Sequence, residues 1–325
     1  MTNSASGAEP RHVSVLLAEV LAALTPQPGQ VIVDATVGAG GHARLVAEHL
    51  QPGGRLIGLD RDPAMLELAR KRVEGLPVTL VQANFDQLRL VLDDQGIAAA
   101  DGVLADLGVC SDQLDDAERG FSFAQDGPLD MRMDPDEGEP ASALLQRLNE
   151  RDLADLIYEY GEERFSRRIA RKIVEVRRTT RLETTGQLAD LVRRCVPRAR
   201  MKGRHKPAID PATRVFQALR IAVNDELGAL DRFLAQLPGC VKVGGKAVVI
   251  SFHSLEDRRV KVAFRQREVW EPDTRKPVEA TKEEEQANPR SRSAKLRSAR
   301  RVGPEGTAGG TAKPQAAAKT QEEQG

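Results

Sequence analysis

The chain has little of what staples or metallates a small fold. Its 325 residues include three cysteines, Cys110, Cys195 and Cys240, each far from the others. An odd number with no Cys-x-x-Cys pair and no Cys/His cluster excludes a disulfide framework and a zinc ribbon or finger, so no metal is expected. Aromatic residues make up only 3% of the chain. The core must therefore be aliphatic, and a surface that reads RNA by stacking many bases on aromatic platforms is disfavoured. No run approaches the roughly 18–20 apolar residues of a membrane span. The opening MTNSASGAEPRH lacks the apolar stretch of a secretory leader. A reducing cytoplasm is the expected compartment, with no membrane partner.

Net charge is also lacking, since 48 basic residues meet 48 acidic ones. The charge is unevenly placed, however. Residues 111–160 hold 14 acidic and 4 basic side chains, and residues 161–220 hold 6 acidic and 17 basic. Such asymmetry suits a polyanion-binding face beside an acidic segment. Two solvated helical surfaces that neutralise one another would look the same.

The length suggests about two domains. Residues 13–24 have helical spacing and stop at Pro26. Short apolar runs at 31–36, 55–60, 78–84 and 101–109 read as strands, and the segments 42–50 and 64–73 between them read as helices. Strands alternating with helices at this pitch indicate a parallel, doubly wound α/β sheet. The pattern breaks at the acidic, loop-rich 111–160. Helical periodicity then runs from about 141 to 229, and 244–252 is a further strand. The expected layout is a Rossmann-like core in two parts, 12–110 and 215–302, interrupted by a mostly helical insertion, 111–214. The Gly/Ala/Lys/Gln/Glu-rich tail, 303–325, is expected to be disordered.

The first strand ends in VIVDATVGAGGHA, which places Gly38, Gly40 and Gly41 between strand and helix. Glycines there allow a sharp turn and bring backbone N–H groups against a ligand. Asp60, ending the second strand, can accept the hydroxyls of a ribose. Both NAD and S-adenosylmethionine use this layout. Asp34 tilts the choice, because a carboxylate repels a pyrophosphate and attracts a methionyl ammonium. Asn84 and Phe85, closing the third strand, suit an adenine ring stacked on one face and hydrogen-bonded at its amine.

Asp106 ends the fourth strand, where open α/β sheets place their ligands. It could hold an exocyclic amine for methyl transfer, or serve as a cap or cofactor contact. Ser251 and His253, in SFHSLEDR, could line a base pocket, although a lone histidine is often a hydrogen-bonded structural residue. The basic runs Arg164/Arg167/Arg168/Arg171/Lys172 and Arg198/Arg200/Lys202/Arg204/Lys206 are candidates for phosphate contact; a solvated helix face is the alternative. NPRSRSAKLR is either a further RNA contact or a segment that folds back on the core.

GAGGH, LDRDP, DLGV, DDAERGFSF, DGPLDMRMD, YGEERFSRRIARKIV, PATRVFQALRIAVNDEL, ISFHSLEDR and NPRSRSAKLR follow one another from about His12 to Arg300. Taken together they resemble the ribosomal RNA small subunit methyltransferase H family, also called MraW. DAERGFSF and SFHSLEDR are long, non-generic strings that make the resemblance specific. It implies a Rossmann-like methyltransferase core with a helical insertion. It also implies transfer of a methyl group from S-adenosylmethionine to N4 of a cytidine in the decoding centre of 16S rRNA, in the bacterial cytoplasm. The family's cofactor contacts would fall on Gly40, Gly41, His42, Asp60, Phe85, Asp106 and Gln113; His42 and Gln113 come from the resemblance alone. Two departures stand out. The family's Gly-Val-Ser-Ser-Pro-Gln is Gly108-Val109-Cys110-Ser111-Asp112-Gln113 here, without the proline, and its His-Pro-Ala-Thr-Arg begins with Asp210. Intact Asp34, Gly38, Gly40, Gly41, Asp60 and Asp106 favour an enzyme over a non-catalytic assembly factor that keeps a cofactor fold. A dehydrogenase lacks a candidate hydride-transfer acid or base. Self-association as a homodimer is left open.

Overall fold

The structure is a computed structural model that describes residues 14–197 and 210–303. Arg198, Arg200, Lys202, Arg204 and Lys206 lie outside the described residues, as does the tail from 304.

The chain begins with α1 (Leu17–Leu24), which ends at Thr25 immediately before Pro26; a residue preceding proline is steered out of the helical region. There follow β1 (Val31–Asp34), α2 (Gly41–His49), β2 (Arg55–Asp60), α3 (Pro63–Arg72), β3 (Val78–Gln82), α4 (Leu88–Asp94) and β4 (Ala100–Asp106). Asp62 caps α3 by accepting from Ala64 N–H, with Pro63 in the first turn and Arg70, Lys71 and Arg72 in the last. That arrangement satisfies an orphan donor and complements the helix dipole. A helical stretch comes next: α5 (Ser111–Asp115), α6 (Ala141–Arg147), α7 (Glu150–Gly161), α8 (Ser166–Val176), α9 (Thr185–Cys195), α10 (Pro211–Asn224) and α11 (Glu226–Cys240). The chain then returns to the sheet with β5 (Val241–Ser251), α12 (Ser254–Ala263), β6 (Trp270–Pro272), β7 (Val278–Glu279), α13 (Lys282–Ala287) and β8 (Lys295–Arg301).

One sheet is ordered β3-β2-β1-β4-β5-β8-β6, with β7 also paired to β8. Pairings from β3 through β5 are parallel, whereas β8 runs antiparallel to β5 and to β6. The mixed far edge was not expected from sequence. NPRSRSAKLR folds back on the core, as one of its two readings held. Helix α10 runs unbroken through the expected insertion boundary at 214.

Alternate residues along each strand feed opposite faces. Val33, Ile57, Leu59, Val103, Ala105 and Val249 meet Leu92, Phe233 and Trp270 on one face. Ile32, Leu56, Leu104, Val248 and Ile250 meet Val20, Val46 and Leu66 on the other. Each fully buried Leu, Ile or Val contributes about 1.5–3 kcal/mol of apolar transfer, so the sheet is a rigid platform. A separate apolar cluster, including Leu129, Leu153, Ile169, Ile173, Leu188 and Val192, holds the helical stretch together.

The topology fixes where a ligand goes. The chain builds outward from β1 to β3, then crosses back to place β4 on the other side of β1. A crevice opens at such a reversal, outside the carboxyl ends of the two strands. Asp34 and Asp106 are the last residues of β1 and β4.

Candidate active site

A cleft of about 1080 Å³ occupies that crevice, lined by residues from the carboxyl ends of β1 to β4, from the 14–15 segment before α1 and from the 288–290 turn before β8. Of the residues singled out from sequence, Gly38, Gly41, His42, Asp60, Asn84, Phe85, Asp106 and Gln113 line it. Asp34, Gly40, Ser251 and His253 do not.

Each glycine of the turn has its own reason. Gly38 has φ +50° and donates its N–H to Asp60 Oδ2 at 2.8 Å. Gly40 has φ +84°, and a Cβ there would stand 3.1 Å from Ala69 Cα. A Cβ on Gly41 would stand 2.0 Å from Ser14 Oγ. The turn is therefore pressed between α3 and the segment that precedes α1, with its backbone bare toward the cleft.

Asp60 secures this turn as well as facing the cleft, for its other oxygen accepts Asp62 N–H at 2.9 Å. Burial pushes its carboxyl up to about 6, with neighbouring Asp62 adding and the two N–H bonds opposing. Asp34 lies behind the cleft rather than in it. It is 2% exposed, and its carboxylate turns back to accept Thr36 N–H at 3.2 Å. Burial pushes it up to about 7, and Asp60 adds to the rise.

Asp106 sits at the centre. Its backbone N–H donates to Thr36 Oγ1 at 2.6 Å, which locks the ends of β4 and β1 together. Side-chain Oδ1 has no hydrogen-bond partner among the described residues. Oδ2 lies 3.7 Å from His42 Nδ1, and the other ring nitrogen of His42 is 2.8 Å from the Val15 carbonyl. Desolvation raises the Asp106 carboxyl well above the ordinary range, and Asp34 and Glu256 add to it.

Phe85 is held edge-to-face by Phe233, ring centroids 5.5 Å apart, and Asn84 beside it has a buried Oδ1 with no partner among the described residues. An aromatic ring beside an orphaned acceptor is what an adenine with its amine would fill.

Gln113 lines the cleft, but its amide is engaged within the protein. Nε2 donates to Asp62 Oδ2 at 2.7 Å, and Oε1 accepts Cys110 N–H at 3.1 Å. Arg119 reaches the same Asp62 oxygen at 2.7 Å and also donates to the carbonyls of Arg132 and Met133. Asp62 and Arg119 were missed in sequence, where LDRDP and DAERGFSF gave no hint that they pair. Asn224 makes a second tie, accepting Met133 N–H and donating to the Met131 carbonyl. Together these hold the 108–134 segment over the cleft.

On the side of β5, Phe252 and Glu226 are the residues that reach the cleft. Both Glu226 oxygens are taken by Arg220, at 2.8 and 2.9 Å. Behind them Ser251 Oγ donates to the Lys295 carbonyl at 3.4 Å, and His253 Nε2 faces Glu256 Oε1 at 3.2 Å. Ser251 and His253 thus brace this wall from within.

The comparisons with known proteins agree with one another. The sequence profile of the MraW methylase family matches residues 9–302. The chain is 54% identical over 295 residues to the ribosomal RNA small subunit methyltransferase H of Sorangium cellulosum, covering 90% of this chain and 91% of that protein. It is 51% identical to the protein of the same name from Deinococcus deserti, covering 90% and 93%. A third such protein, from Geotalea uraniireducens, is 48% identical over 90% of this chain and 98% of its own. With a fold, a glycine turn and a family profile that all span the described core, this chain belongs to the MraW methylase family.

Proposed function

We propose that this protein transfers the methyl group of S-adenosylmethionine to the exocyclic N4 of a cytidine in the 16S rRNA of the small ribosomal subunit. The observation that carries the reading is Asp106: a cleft-lining carboxylate at the end of β4, beside the glycine turn, whose buried Oδ1 has no hydrogen-bond partner among the described residues.

The residues present suit the cofactor. Asn84 and Phe85 offer an adenine site, and Asp60 keeps lone pairs for a ribose. Three carboxyls are raised by burial: Asp60 and Asp106 in the cleft and Asp34 behind it, with Arg61 offsetting the rise only at Asp60. A ligand carrying ammonium and sulfonium charges would favour their ionised forms. When bound, S-adenosylmethionine supplies a methyl carbon on a good leaving group.

The protein's part is positioning and proton handling. The lone pair of a cytosine amine is delocalised into its ring. The Asp106 carboxylate, by accepting one N–H, would turn the nitrogen toward the methyl, and the reacting atoms must meet roughly in line at about 3 Å. Methylation leaves the nitrogen with a proton to lose. A carboxylate of raised proton affinity is suited to take it. Phe252 and Glu226 stand where an extruded base would enter. The helical stretch serves to grip rRNA next to the site: Arg164, Arg167, Arg168, Arg171 and Lys172 are exposed along and just before α8, and Arg200, Lys202 and Arg204 extend the same charge in sequence. A cytoplasmic location accords with this substrate. A non-catalytic assembly factor would have no use for an orphaned carboxylate between cofactor and base.

The test is methyl transfer from tritiated S-adenosylmethionine to small subunits from a strain lacking the gene, with the rRNA digested to nucleosides. Label in N4-methylcytidine, lost in Asp106→Ala, is expected. Cofactor binding without any label would overturn the reading.

A further inference from the structure

A second cleft, of about 1220 Å³, lies on the far edge of the sheet, between the end of α12 and the β6–β7 segment. Its walls carry Lys261, Arg265, Arg267, Arg275 and Arg297. Its two acids are already neutralised from outside, Glu271 by Arg300 and Asp273 by Lys246. Arg297 pairs with Asp257. Lys261, Arg265, Arg267 and Arg275 make no salt bridge among the described residues. Four unpaired cations thus face one concavity, in a chain whose net charge is zero.

We infer that this cleft holds the phosphodiester backbone of the RNA substrate, away from the target base. The inference rests on the proposed rRNA substrate for its partner, and on the cleft alone for its chemistry. Like charges gathered in a concave site repel one another, and a polyanion relieves that repulsion with release of counterions. Three of the four unpaired cations are guanidinium groups, which suit phosphate oxygens through paired N–H bonds. Among the described residues the one aromatic ring in the walls, Phe264, is 3% exposed and packs against Trp270. No face is offered for a base to stack on, so the contact is to backbone and independent of sequence.

The register of the sheet connects the two clefts. Arg297 pairs with Val249 on β5, two residues from Ser251, whose partner Lys295 stands at the carboxyl end of the strand. Two residues of strand span about 7 Å. Arg290, before β8, lines the first cleft. An RNA strand leaving the active site past Arg290 would therefore come to the second cleft after a short path over β8.

The experiment compares wild type with Arg265→Glu/Arg267→Glu/Arg275→Glu, all exposed side chains. A control of equal charge change, Arg44→Glu/Arg55→Glu/Lys71→Glu, alters α2, β2 and α3 instead. Binding of a 16S rRNA fragment is measured between 50 and 200 mM salt, with S-adenosylmethionine affinity and methyl transfer in parallel. The cleft variant should bind RNA at least tenfold more weakly than the control, and its log–log salt slope should be shallower by about 2, at ~0.7 per lost single-strand phosphate contact. Cofactor affinity should not change. Equal RNA affinity and slope in the cleft variant and the control would overturn the inference. So would inorganic phosphate at millimolar concentration displacing RNA from wild type as effectively as an RNA competitor, which would mark a small-anion site. Absence of methyl transfer by wild type, with cleft-dependent RNA binding intact, would fail the proposed reaction and leave this surface standing.

Discussion

His42 and Asp106 face each other across 3.7 Å, Nδ1 to Oδ2, with the far side of the imidazole fixed by the Val15 carbonyl. A carbonyl only accepts, so Nε2 carries a hydrogen, and Nδ1 is the ring nitrogen turned toward Asp106. We propose that His42 positions this carboxylate. His42→Gln keeps an amide donor for Val15 and deletes the basic nitrogen. Its kcat is expected to fall roughly tenfold or more, at the low end of acid–base effects, with KM for the cofactor little changed. His42→Ala also loses the bond to Val15, at about 1–3 kcal/mol for the buried acceptor left unmet. Steady-state kinetics and thermal unfolding of both variants check this; equal kcat in Gln and wild type would reduce His42 to a packing role.

Asp106→Asn separates charge from shape. The backbone bond to Thr36 survives, and a carboxyl crowded by Asp34 and Glu256 is removed. The variant should therefore unfold at the same temperature as wild type or higher, while kcat drops by about 10²–10⁴, the range for loss of a general base. A melting curve beside the methyl-transfer assay decides it. Unchanged kcat would assign Asp106 to cofactor binding only.

These residues show how far the sequence could be read. β1, β2 and β4 are buried on both faces, so they appear as short apolar runs, and the glycines at the end of β1 mark the turn. β8 was invisible as a strand because its sequence, KLRSARR, sets Leu296, Ser298 and Ala299, two of them small, among four cations, and so shows no apolar run. Asp34 was expected to face the ligand, but its carboxylate is turned back by the Thr36 N–H, a local bond that its place at a strand end does not reveal. Gln113, Asp62 and Arg119 lie 51 and 57 residues apart along the pairs they form, so their tie is a property of the fold. The far-edge cleft joins Lys261, Arg265 and Arg267, close together in sequence, to Arg275 between β6 and β7, and only the fold shows that they share one concavity.

The tie at Asp62 should be worth more to the fold than to the chemistry. Asp62 accepts from Ala64 at the start of α3 and from both Gln113 and Arg119 on its other oxygen. Asp62→Ala loses a helix cap, about 1 kcal/mol, and strands the half-buried Arg119 cation, where breaking a buried pair costs about 3–5 kcal/mol. Gln113→Ala leaves Asp62 paired to Arg119 and should cost only about 1 kcal/mol, one hydrogen bond's worth. It loosens the wall of the cleft, so KM for the cofactor should rise more than kcat falls. Denaturant unfolding of the two variants tests the order; a Gln113 variant as unstable as the Asp62 variant would contradict it.

Cofactor affinity should depend on pH through Asp34 and Asp60, whose carboxyls burial pushes up to about 7 and about 6. Both are raised above the ordinary value of 3.8, so the folded protein without cofactor binds more protons than the unfolded chain between those limits. The stability these groups contribute is fully present below pH 4 and is lost as pH rises through 6 and 7. Binding runs the other way. A cationic ligand prefers the ionised carboxylates, so its affinity should climb from pH 5.5 to 8, by at most tenfold per pH unit for each proton released. Calorimetry in buffers of different ionisation enthalpy would count those protons directly. S-adenosylhomocysteine, which keeps the ammonium and lacks the sulfonium, should show a weaker climb. A flat affinity across this range for both ligands would mean that neither carboxyl senses the bound charge, and that Asp34, turned back on Thr36, serves only to shape the turn.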